Sequence, residues 1–446
     1  MKKPFYCGLA FLGLLIIFLI DYPALNCPFI YDDLAVIVFN PEIHSGSLAQ
    51  ALYFNPFRSV AYFSFWLQFQ IGGILAQPIG FRIMNLILHW LTGLVLIRLA
   101  MLLKHGEAYL PALCAIFFWT NPIFLEAINL IVGRTEILLT LFYMMALYFH
   151  LKQTRSWLSM LGFFISYLLA LFSKETAITL PVAVLLLSFY QRESVPWGKL
   201  LLATIIGLVY FIFRINWTII LAKSAGELSP WLDYFLAQNW IIWLASLKTI
   251  FPLQLNFDYQ LGNYFLLGIL FLLINLALIF LVLYRNKRGW LGLIYLLLYL
   301  PLMLVPLADL LRESRLYLSS AWLILILSLL LAPLLRQRRK IIWFKLFLII
   351  IGFILLGHFR ARVYESGETL WRDAVKKSPH KFRPVFNYAN ALRRKLELDK
   401  AQRAYLWAKQ IEPENLEVER NLYLIEQAQK FSQSPETIKE LIQENQ

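Results

Sequence analysis

For its first 360 residues the chain alternates between long apolar runs and short polar breaks, and after that it turns polar. Apolar runs lie near 5–21, 83–103, 109–127, 136–151, 157–173, 176–190, 200–221, 264–284, 290–307, 316–334 and 341–358. Each approaches the ~20 residues that a helix needs to cross a bilayer. The pattern predicts an all-α polytopic membrane domain of about 11 spans over residues 1–359, followed by a helical domain over 360–446. The stretch 22–82 between the first two runs is too apolar for a free linker and too interrupted to cross. It is expected to lie as short helices on the outer leaflet.

The polar breaks set an orientation. Lys2, Lys3, Lys104, Lys152, Arg155, Arg192, Lys199, Arg285, Lys287, Arg288, Arg336, Arg338, Arg339 and Lys340 fall on one side if those runs cross, and that side is the cytoplasm. The first loop and the C-terminus are then external. Residues 239–255 are apolar enough to enter the bilayer, but a crossing there would carry Arg285, Lys287 and Arg288 outside. A half-embedded segment on the outer side preserves the pattern. The N-terminal run is not followed by a small-residue cleavage site and reads as an uncleaved first span.

The polar tail carries a repeat. Trp371, Ala374 and Pro379 recur as Tyr405, Ala408 and Pro413, and Asn387-Tyr388 recurs as Asn421-Leu422, all at an offset of 34. That is the period of a tetratricopeptide helix pair, with Ala where helices touch and Pro where a repeat ends. One full repeat with flanking halves is too little to be a stable array on its own, so this domain is expected to pack on the membrane part.

Composition narrows the class. Hydrophobic residues make up 60% of the 446 and charged residues 15%, more apolar surface than a soluble chain of this length can bury. The net charge of +14 sits in loop clusters and does not read as nucleic-acid binding. Cys7, Cys27 and Cys114 have neither metal spacing nor the setting of a disulfide framework.

Against this apolar background the outer ends of the runs collect polar residues. Asp32 and Asp33 follow the first run in Phe29-Ile30-Tyr31-Asp32-Asp33, and Arg58 lies further along the same loop. Arg82, Asn85 and His89 open the second run. Asn121-Pro122, Glu126, Gly133-Arg134 and Glu136 join the third to the fourth, Lys174-Glu175 the fifth to the sixth, and Arg312-Glu313-Ser314-Arg315-Leu316-Tyr317 precedes the tenth. Each has a bland reading: a Glu126–Arg134 ion pair, a solvated Lys174-Glu175 turn, a satisfied His89 within a helix. Ionisable groups at a membrane edge are nonetheless functional by default, because burying them unpaired is expensive. On one face they suit a phosphate-bearing lipid gripped by Arg or Lys and a carboxylate acting as general base on a hydroxyl. There is no Gly-rich nucleotide loop, which fits a lipid-linked donor.

The acid pair, Arg82-x-x-Asn85-x-x-x-His89, Asn121-Pro122-x-x-x-Glu126-Ala127 with Gly133-Arg134, Lys174-Glu175-Thr176 with Leu180-Pro181, and Arg312-Glu313-x-Arg315-Leu316-Tyr317-Leu318 together resemble the GT-C membrane glycosyltransferases. Among these the pattern is most similar to the transmembrane-and-tetratricopeptide O-mannosyltransferases (TMTC proteins) and their shorter bacterial relatives. The resemblance implies a polyprenyl-phosphate sugar donor, inverting transfer, and an acid of the first outer loop as catalytic base. Asp32 and Asp33 both match that position, with a slight preference for Asp33. It makes Arg134, Lys174, Arg312 and Arg315 candidates for the donor phosphate. Glu126 and Glu313, with His89, Arg58, Glu175 and Tyr317, become candidates for acceptor contact or support.

No cofactor is expected to be required, although Asp32 and Asp33 could hold a divalent ion with the donor phosphate. The expected partners are the donor lipid, the membrane, and a protein acceptor or partner held by the repeats. The short loops and short repeat array suggest a bacterial inner membrane with the site and tail in the periplasm. Three other readings predict different behaviour: a lipid or envelope-glycan acceptor, a transporter or flippase with midplane charges and inverted repeats, and an inactive repeat scaffold indifferent to loss of the acids.

Overall fold

The structure is a computed structural model that describes residues 3–44, 46–103, 109–152, 156–222, 231–262, 264–285, 289–336 and 340–430. The basic clusters at Lys104, Arg155, Lys287–Arg288 and Arg338–Arg339 lie outside the described residues, as does Lys2. Among the described residues every regular element is a helix. In chain order the α-helices are α1 (Lys3–Asp21), α2 (Pro41–His44), α3 (Leu48–Phe54), α4 (Ser59–Ile71), α5 (Pro78–Leu102), α6 (Leu110–Thr120), α7 (Leu125–Asn129), α8 (Arg134–Leu151), α9 (Trp157–Leu171) and α10 (Leu180–Gln191). They continue with α11 (Trp197–Ala222), α12 (Trp231–Ile250), α13 (Phe265–Arg285), α14 (Trp290–Leu304), α15 (Tyr317–Arg336), α16 (Lys340–Val363), α17 (Gly367–Lys377), α18 (Phe382–Arg394), α19 (Leu398–Ile411) and α20 (Leu416–Lys430).

The chain forms two compact units, one of residues 1–255 and 263–361, the other of residues 256–262 and 362–446. Among the described residues of the first, 7 helices are long and apolar enough to cross a membrane, or 8 when the bent pair α6–α7 counts as one span. Three shorter apolar helices cover 157–171, 175–191 and 290–304. Each of the eleven apolar runs falls on one of these. The span beginning at Ile131, which contains α8, is 78% buried in protein, whereas α13 and α16 are 11% buried and turn their apolar sides outward. α8 therefore forms the middle of this unit, packed against α5 and α9.

Residues 22–82 hold α2, α3 and α4 with short 3₁₀ and π turns between them, as their interrupted apolar pattern suggested. Residues 239–255, expected to be half-embedded, comprise the end of the 20-residue α12 followed by irregular chain from Phe251, and α12 is not among the helices long and apolar enough to cross. The polar side chains of α12 have partners on its neighbours. Gln238 donates to Leu310 O at 2.9 Å and accepts from Tyr299 Oη at 3.1 Å, and Asn239 Oδ1 accepts from Asn275 at 3.2 Å.

The second unit begins beside the compositional break near 360. Its helices pack in sequence, α17 on α18, α18 on α19, α19 on α20. Pro379 and Pro413 lie in the turns after α17 and α19, and Trp371, Tyr405, Ala374 and Ala408 are buried at equivalent positions. Asn387 donates to the carbonyl four residues back at 2.9 Å, and Asn421 makes the same bond at 2.8 Å. α17 starts with a capping box between Ser366 and Thr369, which satisfies donors that a helix start leaves bare. Residues 256–262, which nothing in the sequence assigns to this unit, are clasped into it. The buried Asp258 accepts from Arg383 Nε at 2.5 Å and Nη2 at 2.6 Å and pairs with Lys381. Asn256 donates to Ser378 at 2.8 Å, and Phe257 packs edge-on to Trp371.

Candidate active site

Around Asp32 and Asp33 the polar residues of the membrane unit form two networks. The first is internal. Arg82, from the first turn of α5, donates to Cys27 O, to Pro28 O at 2.9 Å and to Asn129 O at 3.2 Å. It thereby fastens the chain just before the acid pair. Arg134, at the start of α8, donates to Asn85 Oδ1 at 2.7 Å, Ser64 Oγ at 3.0 Å, Gln68 Oε1 at 2.6 Å and Phe81 O at 2.9 Å. Its guanidinium lies 4.7 Å from the Phe65 ring centroid. Asn85 completes the network by donating to Ile128 O at 3.1 Å. Gly133 allows α7 and α8 to meet here, since a Cβ at that position would stand 2.3 Å from Ala127 O.

Asp33 belongs to this internal network. It has no exposed surface, and its Oδ1 accepts from Val132 N–H at 3.0 Å. Burial pushes its carboxyl up to about 6 from an ordinary 3.8, against the pull of the Arg82 charge. Desolvation penalises the ionised form more than one cation at this range offsets.

The second network is open. Arg312, just before α15, donates from Nε to Glu126 Oε1 at 2.8 Å and from Nη2 to Asp32 Oδ2 at 3.3 Å. Ser314 Oγ donates to the same Glu126 oxygen at 2.7 Å. The Glu126 side chain is fully buried, that of Arg312 is 13% exposed and that of Asp32 is 42% exposed. The bend at Asn121-Pro122, 52° between α6 and α7, turns Glu126 toward Arg312. Asn121 stabilises it by accepting from Ile123 N–H at 3.0 Å and donating to Thr249 O at 2.8 Å. Burial opposes the Arg312 charge, but the Glu126 and Asp32 carboxylates outweigh it and hold its pKa above the ordinary arginine value. Arg315 donates to Asp309 O at 2.9 Å, and it lines a cavity of about 10 Å³ together with Arg312 and Asp309.

The remaining candidates separate from this edge. Glu126 and Arg134 do not pair with each other; each has the partners given above. Lys174 is buried against Glu136 rather than turned to solvent. Glu175 lies 3.9 Å from Arg214, with the charges of Arg58 and Lys174 also acting on it. His89 Nδ1 and Tyr317 Oη are 2.6 Å apart inside an aromatic nest of Phe118 and Phe124. Glu313 is buried in an ion pair with Arg360 at 3.2 Å.

These contacts place several of the candidates away from solvent. Arg134 directs its guanidinium into protein and has no surface to offer a phosphate. Lys174 and Glu313 are each committed to a buried counter-charge, and His89 and Tyr317 to one another. Tyr31, Ser314 and Arg360 were not singled out, although Tyr31 and Ser314 stand inside the quoted motifs. Asp32 and Asp33 do not fit a shared divalent ion, because one carboxylate faces Arg312 and the other is buried under a backbone N–H. Among the described residues no three His, Cys, Asp or Glu side chains gather as metal ligands.

Comparison with known proteins agrees with the pattern of motifs. The chain is 25% identical over 276 residues to the protein O-mannosyl-transferase F38B6.6 of Caenorhabditis elegans, covering 56% of this chain and 39% of that protein. Over part of its length the chain is similar to the TMTC-type protein O-mannosyl-transferases. Drosophila melanogaster Tmtc2 is 29% identical over 197 residues, 39% of this chain and 20% of its own length. Human TMTC3 is 24% identical over 147 residues, 30% and 15% of the respective chains. The chain thus spans well under half of the length of these relatives. No family profile matches it, and no solved structure does.

Proposed function

We propose that this protein is a membrane glycosyltransferase that moves a sugar from a polyprenyl-phosphate donor to a hydroxyl on a protein acceptor, with inversion. The observation that carries the reading is the open network of Asp32, Arg312 and Glu126. It puts an accessible carboxylate beside a guanidinium at the edge of an apolar bundle. Asp32 is the general base, a reversal of the slight preference for Asp33: a base must reach the acceptor hydroxyl, and only Asp32 has exposed surface. The acceptor oxygen attacks the anomeric carbon as its proton passes to Asp32. The sugar–phosphate bond breaks toward the phosphate, whose charge Arg312 and Arg315 meet. In this reading Arg312 and Arg315 supply the positive charge that the leaving phosphate needs, and no cofactor is proposed.

The names of the relatives support a protein acceptor and suggest mannose as the sugar. The helices of the second unit, α17–α20 among the described residues, carry the 34-residue period of a tetratricopeptide pair and would hold that acceptor or a partner. A bacterial inner membrane with the site facing the periplasm is the corresponding location. The test is transfer in membranes from a panel of radiolabelled polyprenyl-phosphate sugars. Wild type transfers at least one sugar, and Asp32→Asn at equal abundance loses about a thousandfold, within the range of a lost general base. Full activity in Asp32→Asn would refute the assignment, and no transfer from any donor would return the scaffold and transporter readings.

A further inference from the structure

We propose that Arg312 is shared between Asp32 and the donor phosphate, with Glu126 and Tyr31 fixing its stem, so that arrival of the donor frees Asp32 to act. This rests on the proposed function and adds an order of events to it.

The contacts of Arg312 with its two carboxylates are unequal. Its Nε meets a Glu126 side chain with no exposure at 2.8 Å, and Ser314 holds that oxygen from the other side at 2.7 Å. Its Nη2 meets Asp32 at 3.3 Å, on a carboxylate 42% exposed. One end of the guanidinium is therefore anchored inside protein, and the other rests on a group that water and ligands reach. Tyr31 adds a platform, its ring centroid 5.3 Å from the guanidinium carbon, within range of a cation–π contact. To present that ring it adopts φ +52°, a left-handed conformation unfavourable for a bulky side chain and persisting where surrounding contacts enforce it.

A carboxylate paired with a guanidinium is a poorer proton acceptor than one released from it. A phosphate competes well for the same N–H groups, because arginine binds it bidentately. When the donor takes the Nη side of Arg312, Asp32 loses its counter-charge. The acceptor proton can then pass to Asp32 while the sugar–phosphate bond breaks, its electron pair going to the phosphate oxygens that Arg312 retains. Donor binds first and acceptor second. Glu126 and Tyr31 are positioning residues, acting on the reaction through Arg312.

The experiment measures binding of polyprenyl phosphate, without sugar, to the full-length protein in nanodiscs. Asp32→Asn removes the competitor and should tighten binding roughly fivefold, the scale of one half-exposed ion pair. Arg312→Gln should weaken it, and the double variant should bind no tighter than Arg312→Gln alone. Tyr31→Phe should bind as wild type does, and Tyr31→Gly, which relieves the backbone but removes the ring, should bind more weakly. Unchanged or weaker binding in Asp32→Asn overturns the sharing, as does a gain that persists without Arg312. Wild-type binding in Tyr31→Gly overturns the platform. No binding by the wild type overturns the lipid-donor reading itself and the sharing with it.

Discussion

Behind Asp33, nearly every polar group is answered by protein. Arg82 holds three carbonyls, Arg134 holds two side-chain amides, a hydroxyl and a carbonyl, and Val132 N–H closes on Asp33. Ahead of Asp32 the same kinds of side chain are arranged differently, with Arg312 divided between a buried Glu126 and an exposed carboxylate. The two acids are adjacent in the sequence. The first network is a structural weld, since a buried guanidinium is tolerated only when its donors are used. The second keeps one charge, the Asp32 carboxylate, at the surface, where a ligand can exchange for it. Charge at a membrane edge therefore does not by itself mark a site; what distinguishes the two networks is whether the partners are already internal.

The sharpest way to break this comparison is at Arg134. Arg134→Met leaves Asn85 Oδ1, Gln68 Oε1 and Phe81 O without their donor in a dry interior. A loss of about 4 kcal/mol in stability is expected, the scale for removing one member of a buried charged network. It should appear as reduced abundance and a lower Tm in detergent. Arg134→Lys should recover little, because an ammonium cannot reproduce the fork. If Arg134→Met were stable but failed to bind polyprenyl phosphate, Arg134 would belong to the open network instead.

Much of this arrangement was legible in the sequence, and the part that was not has a physical reason. Apolar runs announce helices that bury or face lipid, because nothing else satisfies a backbone there, and the 34-residue offset announces the helix pairs of the tail. The motifs did mark residues that come together: Asp32, Glu126 and Arg312 are 94 and 186 residues apart along the chain (126 − 32 and 312 − 126) and share one ion-pair network. The sequence could not rank them, because exposure is decided by packing. Gln68 and Ser64, which accept from Arg134 Nη1, lie on α4, whose apolar composition gives no hint that these two of its polar groups point inward. The clasp at Asp258 was hidden for a related reason: its partners Lys381 and Arg383 are more than 120 residues away.

A smaller effect separates Asp33 from Asp32 by pH. The folded pKa of Asp33, about 6, is raised above the ordinary 3.8. Its contribution to stability is therefore fully present below about 3.8 and is lost as pH rises through about 6. The displacement corresponds to ~3 kcal/mol. Asp33→Asn retains an oxygen for Val132 N–H and has nothing to titrate. It should flatten the stability profile between pH 4 and 6, exceed wild type in Tm at neutral pH, and still transfer sugar. Loss of transfer at full abundance would return the role of base to Asp33.

The smallest expected effect lies at the His89–Tyr317 pair, which the motif pattern ranked with the site and the structure places among buried rings. Tyr317→Phe removes the 2.6 Å hydrogen bond to His89 and a side-chain contact with Thr92 and keeps the ring packed against Phe124, 4.8 Å away between centroids. Such a bond contributes about 1 kcal/mol net, and somewhat more here because His89 is left with an unanswered nitrogen. The Tm should fall by a few degrees while kcat and the KM for donor stay within about twofold of wild type, since nothing the substrate touches has changed. A fall in kcat with an unaltered Tm would contradict this. It would mean that the hydroxyl acts on the reaction through the start of α15, two residues after Arg315, and that the internal network reaches further into catalysis than its saturation suggests.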